Sequence, residues 1–251
     1  MPRTPKYIVL IIAYLILLGC GYDVEDSTSP DPPQWVPKSL PEEWPEQGID
    51  AYEGGGVVVE WYANDKDQNV KEYKLYRSRH SDFSGSSNQF EMIASQLDIG
   101  SDVYQIIDQN IEFGEIYEYK LRCVDISDYS SEFSNSIMYL PYIPTNPATM
   151  TPNGHNQTLA SDRSLQWKYS YNTPMEDYTL TILDEFDQFI FRRQFLPGNY
   201  TGEIEEFVIP DSVYFVMGRT YKWRVDLSGS YQDGRERAGS ESPWAIFLYS
   251  G

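Results

Sequence analysis

The stretch YEYKLRCVD, Tyr117 to Asp125, alternates apolar and polar side chains step by step. Tyr117, Tyr119, Leu121 and Cys123 fall on one side, with Glu118, Lys120 and Arg122 on the other. A period of two marks an extended strand with one buried face, because successive side chains of such a strand point in opposite directions. YKWRVDL repeats the pattern further on, with Tyr221, Trp223, Val225 and Leu227 inward. Working outward, VVVEWY sets Val57, Val59 and Trp61 on one face, and YKLYRS sets Tyr73 and Leu75 against Lys74 and Tyr76. LQWKYS places Leu165, Trp167 and Tyr169 inward, and DYTLTIL does the same for Tyr178, Leu180 and Ile182. Trp61 precedes Tyr117 by 56 residues, and Trp167 precedes Tyr221 by 54. The closing segments also agree, SEFSNSIMYL from Ser131 against SESPWAIFLY from Ser240. The chain therefore reads as two copies of one all-β domain of about 100 residues, each large enough to close a core.

The order of these signals resembles the fibronectin type III domain: a Trp on an early strand, a late Tyr-x-aromatic-x-aliphatic strand, and a Ser-Glu-x-Ser turn before the last strand. The resemblance implies two tandem immunoglobulin-like (fibronectin type III-like) β-sandwiches, each with seven strands in two sheets closed over the Trp. Residues 37–141 match better, through NDKDQNVKEYKLYRS and FGEIYEYKLRCVDISDYSSEFS, and residues 147–251 more weakly. It further implies that Tyr117 and Tyr221 hold tyrosine-corner positions, each hydroxyl bonded to nearby backbone. Residues 142–146, inside the Pro-rich YLPYIPTNPATMTP, are expected to form a short, fairly stiff hinge. The second copy departs from the pattern twice. DEFDQFIFRRQFLPGNYTGEIEEF is expected to be a hairpin plus loop. SGSYQDGRERAGSES reads as a long polar loop from Ser228 to Ser240.

The only long apolar run is YIVLIIAYLILL, Tyr7 to Leu18, twelve residues without a charge. A spanning helix needs about 20 such residues. Arg3 and Lys6 precede the run, and acidic, Pro-rich sequence follows it. Positive start, short apolar middle and small residue before a break make a cleaved secretory signal. Leu17-Leu18-Gly19-Cys20 resembles the lipobox of bacterial lipoproteins. That resemblance implies a signal peptide over 1–19 and lipidation of Cys20 with a diacylglyceryl group and palmitate-type acyl chains. Several acyl chains would hold the bilayer far more firmly than one. Residues 20–36 then form an acidic, Pro-rich tether. Trp35 and Trp44 stand in or just beyond it, either as packing for a first edge strand or as an aromatic contact with a partner. Gly21, rather than Asp, follows the lipidated position, which under the enterobacterial sorting rule points to the outer membrane.

The formal charge is −19, and losing Arg3 and Lys6 with the signal takes it to −21. Such a surface excludes nucleic acid as a partner, since phosphates need lysine and arginine. With Cys20 lipidated, Cys123 has no partner for an internal disulfide, so packing must hold the fold. No catalytic constellation emerges. His80 and His155 lie in polar contexts without a nucleophile motif, and Cys123 alternates inward as a small hydrophobe. Asp65, Asp67 and Asn69 begin like a calcium loop, but Val70 stands where Gly is needed and Tyr76 where Glu is needed. No enzyme activity, cofactor or metal is expected.

The expectation is a membrane-anchored, non-enzymatic binding or assembly module of the bacterial envelope, periplasmic or surface-facing. It would hold a protein partner through sandwich loops or edges. Arg235 and Arg237, basic points in an acidic chain, are candidate partner contacts. The alternative is a surface lipoprotein that binds glycan through exposed aromatics.

Overall fold

The computed structural model describes residues 29–39, 47–64, 66–80, 89–169, 176–196, 203–229 and 237–251. Apart from 3-10 turns at Lys66–Gln68 and Pro147–Thr149, the regular structure among these residues is strand, and the fold is all-β. The first half supplies β1 (Gln34–Trp35), β2 (Ile49–Ala51), β3 (Val57–Tyr62), β4 (Val70–His80), β5 (Glu91–Leu97), β6 (Val103–Asp108), β7 (Ile116–Asp125) and β8 (Ile137–Pro141). One sheet sets β1 and β2 on one edge of β3 and β6 on the other; the second runs β5–β4–β7–β8, with every neighbour antiparallel. Val57, Val59 and Trp61 of β3 meet Tyr73, Leu75, Tyr119, Leu121 and Cys123 across the sandwich, all fully buried. The Trp61 ring lies 5.6 Å from that of Tyr73 and 5.9 Å from that of Tyr104. Aromatic bodies of this size bury the most area per residue, at about 25 cal/mol for each Å² removed from water. Cys123 is a free, buried thiol.

The second half supplies β9 (Ser164–Lys168), β10 (Asp177–Asp184), β11 (Phe189–Phe195), β12 (Ile204–Val208), β13 (Thr220–Gly229), β14 (Arg237–Glu241) and β15 (Ala245–Leu248). β9 pairs with β12, and β10 lies between β11 and β13. Trp167 and Trp223 are fully buried, with ring centres 6.2 Å apart. The repeat extends to single hydrogen bonds. The Tyr117 hydroxyl accepts from the Glu112 N–H at 2.7 Å, and the Tyr221 hydroxyl from the Val216 N–H at 2.8 Å. Ser134 accepts from the Leu121 N–H at 2.9 Å and Ser242 from the Val225 N–H at 3.0 Å, each four residues past the corner tyrosine. The serines of the closing turn thus satisfy donors on β7 and β13 where the last strand departs.

Three boundaries differ from the sequence reading. The stretch from Ser228 to Ser240 is not one loop, because β13 runs on to Gly229 and β14 begins at Arg237. Ala238 to Glu241 pair back onto β13 and are buried. On its other edge β14 pairs in parallel with β8, with Arg237, Ala238 and Gly239 in register with Tyr139, Leu140 and Pro141. The larger sheets of the two sandwiches therefore merge into one sheet of nine strands. Residues 142–146, expected as a short, fairly stiff hinge, are accordingly tied into the joint between the sandwiches. The Tyr142 N–H donates to the Gly239 carbonyl at 2.7 Å, and the Tyr142 ring joins the second core. Gly239 is demanded by this close approach, since a Cβ there would sit 2.4 Å from the Leu227 carbonyl oxygen. At the other end the first sandwich begins at Gln34, inside the expected tether. Gln34 and Trp35 pair with Tyr62 and Trp61, and the Trp35 indole donates to the Asn135 carbonyl at 2.7 Å.

A candidate binding cleft in the first sandwich

β5 ends the larger sheet and β6 pairs only with β3, so among the described residues both strands present an unpaired edge on the same side of the first sandwich. Between them opens a cleft of about 260 Å³. Met92, Ile93 and Ala94 line it from β5, and Ile106 and Ile107 from β6. Its inner end is polar. The alternation that turns Tyr73 and Leu75 inward along β4 continues to Arg77, and the alternation that buries Tyr104 along β6 ends on Asp108. Arg77 and Asp108 are 7% and 6% exposed, so each depends on the other for its charge.

The Arg77 Nη1 donates to both Asp108 oxygens, at 3.1 and 2.8 Å, and to the Asn110 carbonyl. Tyr119 donates its hydroxyl to Asp108 at 3.0 Å, and the Asn110 N–H adds a fourth bond at 3.1 Å. The carboxylate is therefore fully engaged. The second guanidinium nitrogen, Nη2, faces the cleft mouth and donates to Glu91 at 2.9 Å, a carboxylate whose side chain is 65% exposed. The guanidinium also stacks at 5.2 Å over the Tyr117 ring. Burial alone would lower the Arg77 pKa, but the bonds to Glu91 and Asp108 outweigh it and raise it above the ordinary arginine value. Burial, reinforced by the Asp108 charge, pushes the Tyr119 phenol far above its usual range and keeps it a donor.

The second sandwich fills the same places with hydrocarbon. Tyr119 and Trp223 each stand two residues past a corner tyrosine. Tyr119 faces Arg77 in strand register, and Trp223 faces Ile182. Counting on from the pairs Trp61–Tyr104 and Trp167–Glu205, the place of Asp108 falls to Ile209. Ile182, Ile209 and Trp223 are at most 1% exposed. The gap itself is closed there by aromatic rings, Phe207 lying 5.8 Å from Phe191 and 5.2 Å from Phe195. By register, Phe195 and Phe191 stand where the first sandwich has Gln96 and Glu91. One fold thus carries an open, polar-ended cleft in one copy and a plug in the other.

The residues singled out in the sequence lie elsewhere. Cys20 and Arg235 fall outside the described residues, as do Trp44 and Asp65. Arg237 opens β14, where its backbone pairs with the first sandwich. His80 lies half-buried on β4, 2.9 Å from Glu118, while His155 is exposed in a loop. Among the described residues no group of three or more His, Cys, Asp or Glu side chains is arranged to hold a metal. Burial raises the Cys123 thiol pKa, which leaves it a packed side chain. Trp35 packs against the first core, and the exposed Tyr62, Tyr129 and Tyr214 sit on separate elements. Alternation followed along β4 only as far as Tyr76 does not reach the cleft, which begins one residue further on, at Arg77. The signal was nonetheless present, since the period of two puts Arg77 inward and the repeat sets it against Ile182.

No family model matches the chain, and no curated protein matches it. Among solved structures the chain is similar to the FN1-FN3 domains of chicken CNTN1, at 11% identity over 89% of this chain and 70% of that one, with a TM-score of 0.34.

Proposed function

We propose that the chain is a lipid-anchored, non-enzymatic binding module of the bacterial envelope that holds a protein partner in the cleft between β5 and β6. The lipobox-like Leu17-Leu18-Gly19-Cys20 supports acylation at Cys20 and the membrane address, with Gly21 favouring the outer membrane. The observation that carries the binding role is the Arg77–Asp108 pair itself. A buried ion pair is often no more stabilising than well-packed hydrocarbon of similar volume. The second sandwich meets the same need with Ile182 and Ile209, so stability gives no reason for a charged pair in the first. Two strand edges, unpaired among the described residues, beside a cleft lined by both aliphatic and charged side chains suit an extended protein segment, which adds main-chain hydrogen bonds to side-chain contacts. At about 260 Å³ the cleft lies below the roughly 300–1,000 Å³ of small-molecule pockets, and fits one or two side chains.

A photo-crosslinking residue placed at Met92, on the cleft lip, tests the reading in the native host. It should yield a discrete protein adduct in the membrane fraction, whereas the same residue at Phe189 of the second sandwich should not. Cys20→Ala should leave an uncleaved, unlipidated precursor. A Met92 probe that gives no adduct, or acyl-free processing at Cys20, would remove the corresponding half of the proposal.

A further inference from the structure

Glu91 is an exposed partner of a buried guanidinium. The buried side of the guanidinium is occupied by Asp108 and the Asn110 carbonyl, which fix its plane. Its remaining direction points out through the cleft, and there the partner is a long side chain on an edge strand, 65% in water. Holding Glu91 in one rotamer costs side-chain entropy for an exposed ion pair of small worth. A carboxylate that reached the same nitrogen from inside the cleft would form its bond with less competing water, where charge-assisted bonds are stronger. Ile93, Ala94 and Ile106 contribute aliphatic side chains to the lining beside it, with Met92 and Ile107 exposed at the lips.

We infer that the cleft receives an extended peptide segment that lies along an open strand edge and delivers an acidic side chain to Arg77, displacing Glu91. The inference rests on the binding-module reading above and adds to it the chemistry of the ligand. An acidic ligand is an unexpected choice for a chain of formal charge −19. Arg77 answers that objection locally, because its charge is buried at the cleft floor and presented along one direction. The surrounding negative field would slow encounter with acidic segments in general, leaving selectivity to segments that combine one carboxylate with apolar neighbours.

The test uses the full chain in detergent and two blocked pentapeptides, acetyl-Thr-Val-Glu-Val-Thr-amide and its Gln counterpart, followed by calorimetry and by the NMR signals of the Arg77 guanidinium. The Glu peptide should bind at least about tenfold more tightly than the Gln peptide, as a charge-assisted bond in a shielded site requires. Glu91→Ala removes only an exposed side chain and so folds as the parent does; it should bind the Glu peptide several-fold more tightly and leave the Gln peptide unchanged. Equal affinity for the two peptides overturns the inference, as does weaker binding by Glu91→Ala or no binding of the Glu peptide. A Met92 adduct recovered in cells alongside any of these results would leave the binding-module reading standing and refute only the acidic ligand.

Discussion

Arg77 on β4 stands in register with Tyr119 on the neighbouring strand β7, at the place where Ile182 on β10 stands beside Trp223 on β13. Two copies of one fold have thus solved the same packing problem in opposite ways, one with a charged pair and a cleft and the other with hydrocarbon and aromatic rings. The two arrangements can be compared directly, because the strands that carry these residues pair in the same order in both copies, β6–β3 and β5–β4–β7 against β12–β9 and β11–β10–β13.

Single truncations should expose how much each member of the buried pair depends on the other. Asp108→Ala leaves Arg77 buried with its main partner gone, and should cost about 3–5 kcal/mol of stability. Glu91→Ala removes an exposed arm and should change stability by less than about 1 kcal/mol. Denaturant midpoints measure both, and comparable losses for the two would contradict the assigned burial.

The core and the corners make a graded set. Trp61→Ala and Trp167→Ala should each cost about 3–5 kcal/mol, as aromatic truncations in cores do. Tyr117→Phe and Tyr221→Phe keep the ring and lose one hydrogen bond from the Glu112 or Val216 N–H, and should each cost about 0.5–1.5 kcal/mol. Corner losses as large as the Trp losses would mean that the hydroxyls hold more than one backbone donor.

The joint between sandwiches predicts coupled unfolding. β14 belongs to the core of one sandwich and to the sheet of both, so melting either half strips partners from the other. Gly239→Ala would drive a Cβ against the Leu227 carbonyl and push β14 off β13. The wild type should melt in one calorimetric transition, and Gly239→Ala should lower it or split it into two. Two well-separated transitions in the wild type would show that the three-residue parallel pairing does not couple the halves.

Alkaline conditions should weaken the fold through its buried tyrosines. Burial pushes Tyr73 and Tyr142 up to about 12, against about 10 for an unfolded phenol. The unfolded chain therefore gives up these protons first, and the folded state holds more protons above pH about 10. Stability is undiminished below that pH and falls as pH rises towards 12. Melting temperature followed with phenolate absorbance should be flat to about pH 10 and then decline, less steeply in Tyr73→Phe/Tyr142→Phe. An equal decline in the double variant would place the titrating groups elsewhere.

The legible part of the sequence was the part governed by one buried face. Alternation in Val57–Tyr62 and in Tyr117 to Cys123 places their inward residues correctly, and the spacing of Trp61, Tyr117, Trp167 and Tyr221 marks the repeat. Arg77 was hidden because an arginine at an inward position looks like the end of a strand, although the alternation runs through it. β14 was hidden for another reason. Arg237 to Glu241 carry no apolar alternation, since the strand lies between β13 and β8 and is specified by edges and by the small Gly239. A pattern read along one chain segment registers what the segment buries, and is silent about which distant edge it will join. The same silence covers the cleft, which exists only where β5 and β6 leave their edges open.

The central claim, that the Arg77–Asp108 pair serves binding and not stability, is tested by replacing the pair with the isoleucines that hold the same places in the second sandwich. Arg77→Ile with Asp108→Ile and Tyr119→Phe removes both charges and the hydroxyl that would be orphaned. The account predicts a melting temperature equal to or above that of the wild type, together with loss of the Met92 crosslink in the native envelope. A large fall in melting temperature, or a Met92 adduct recovered undiminished from the stable triple variant, would contradict it.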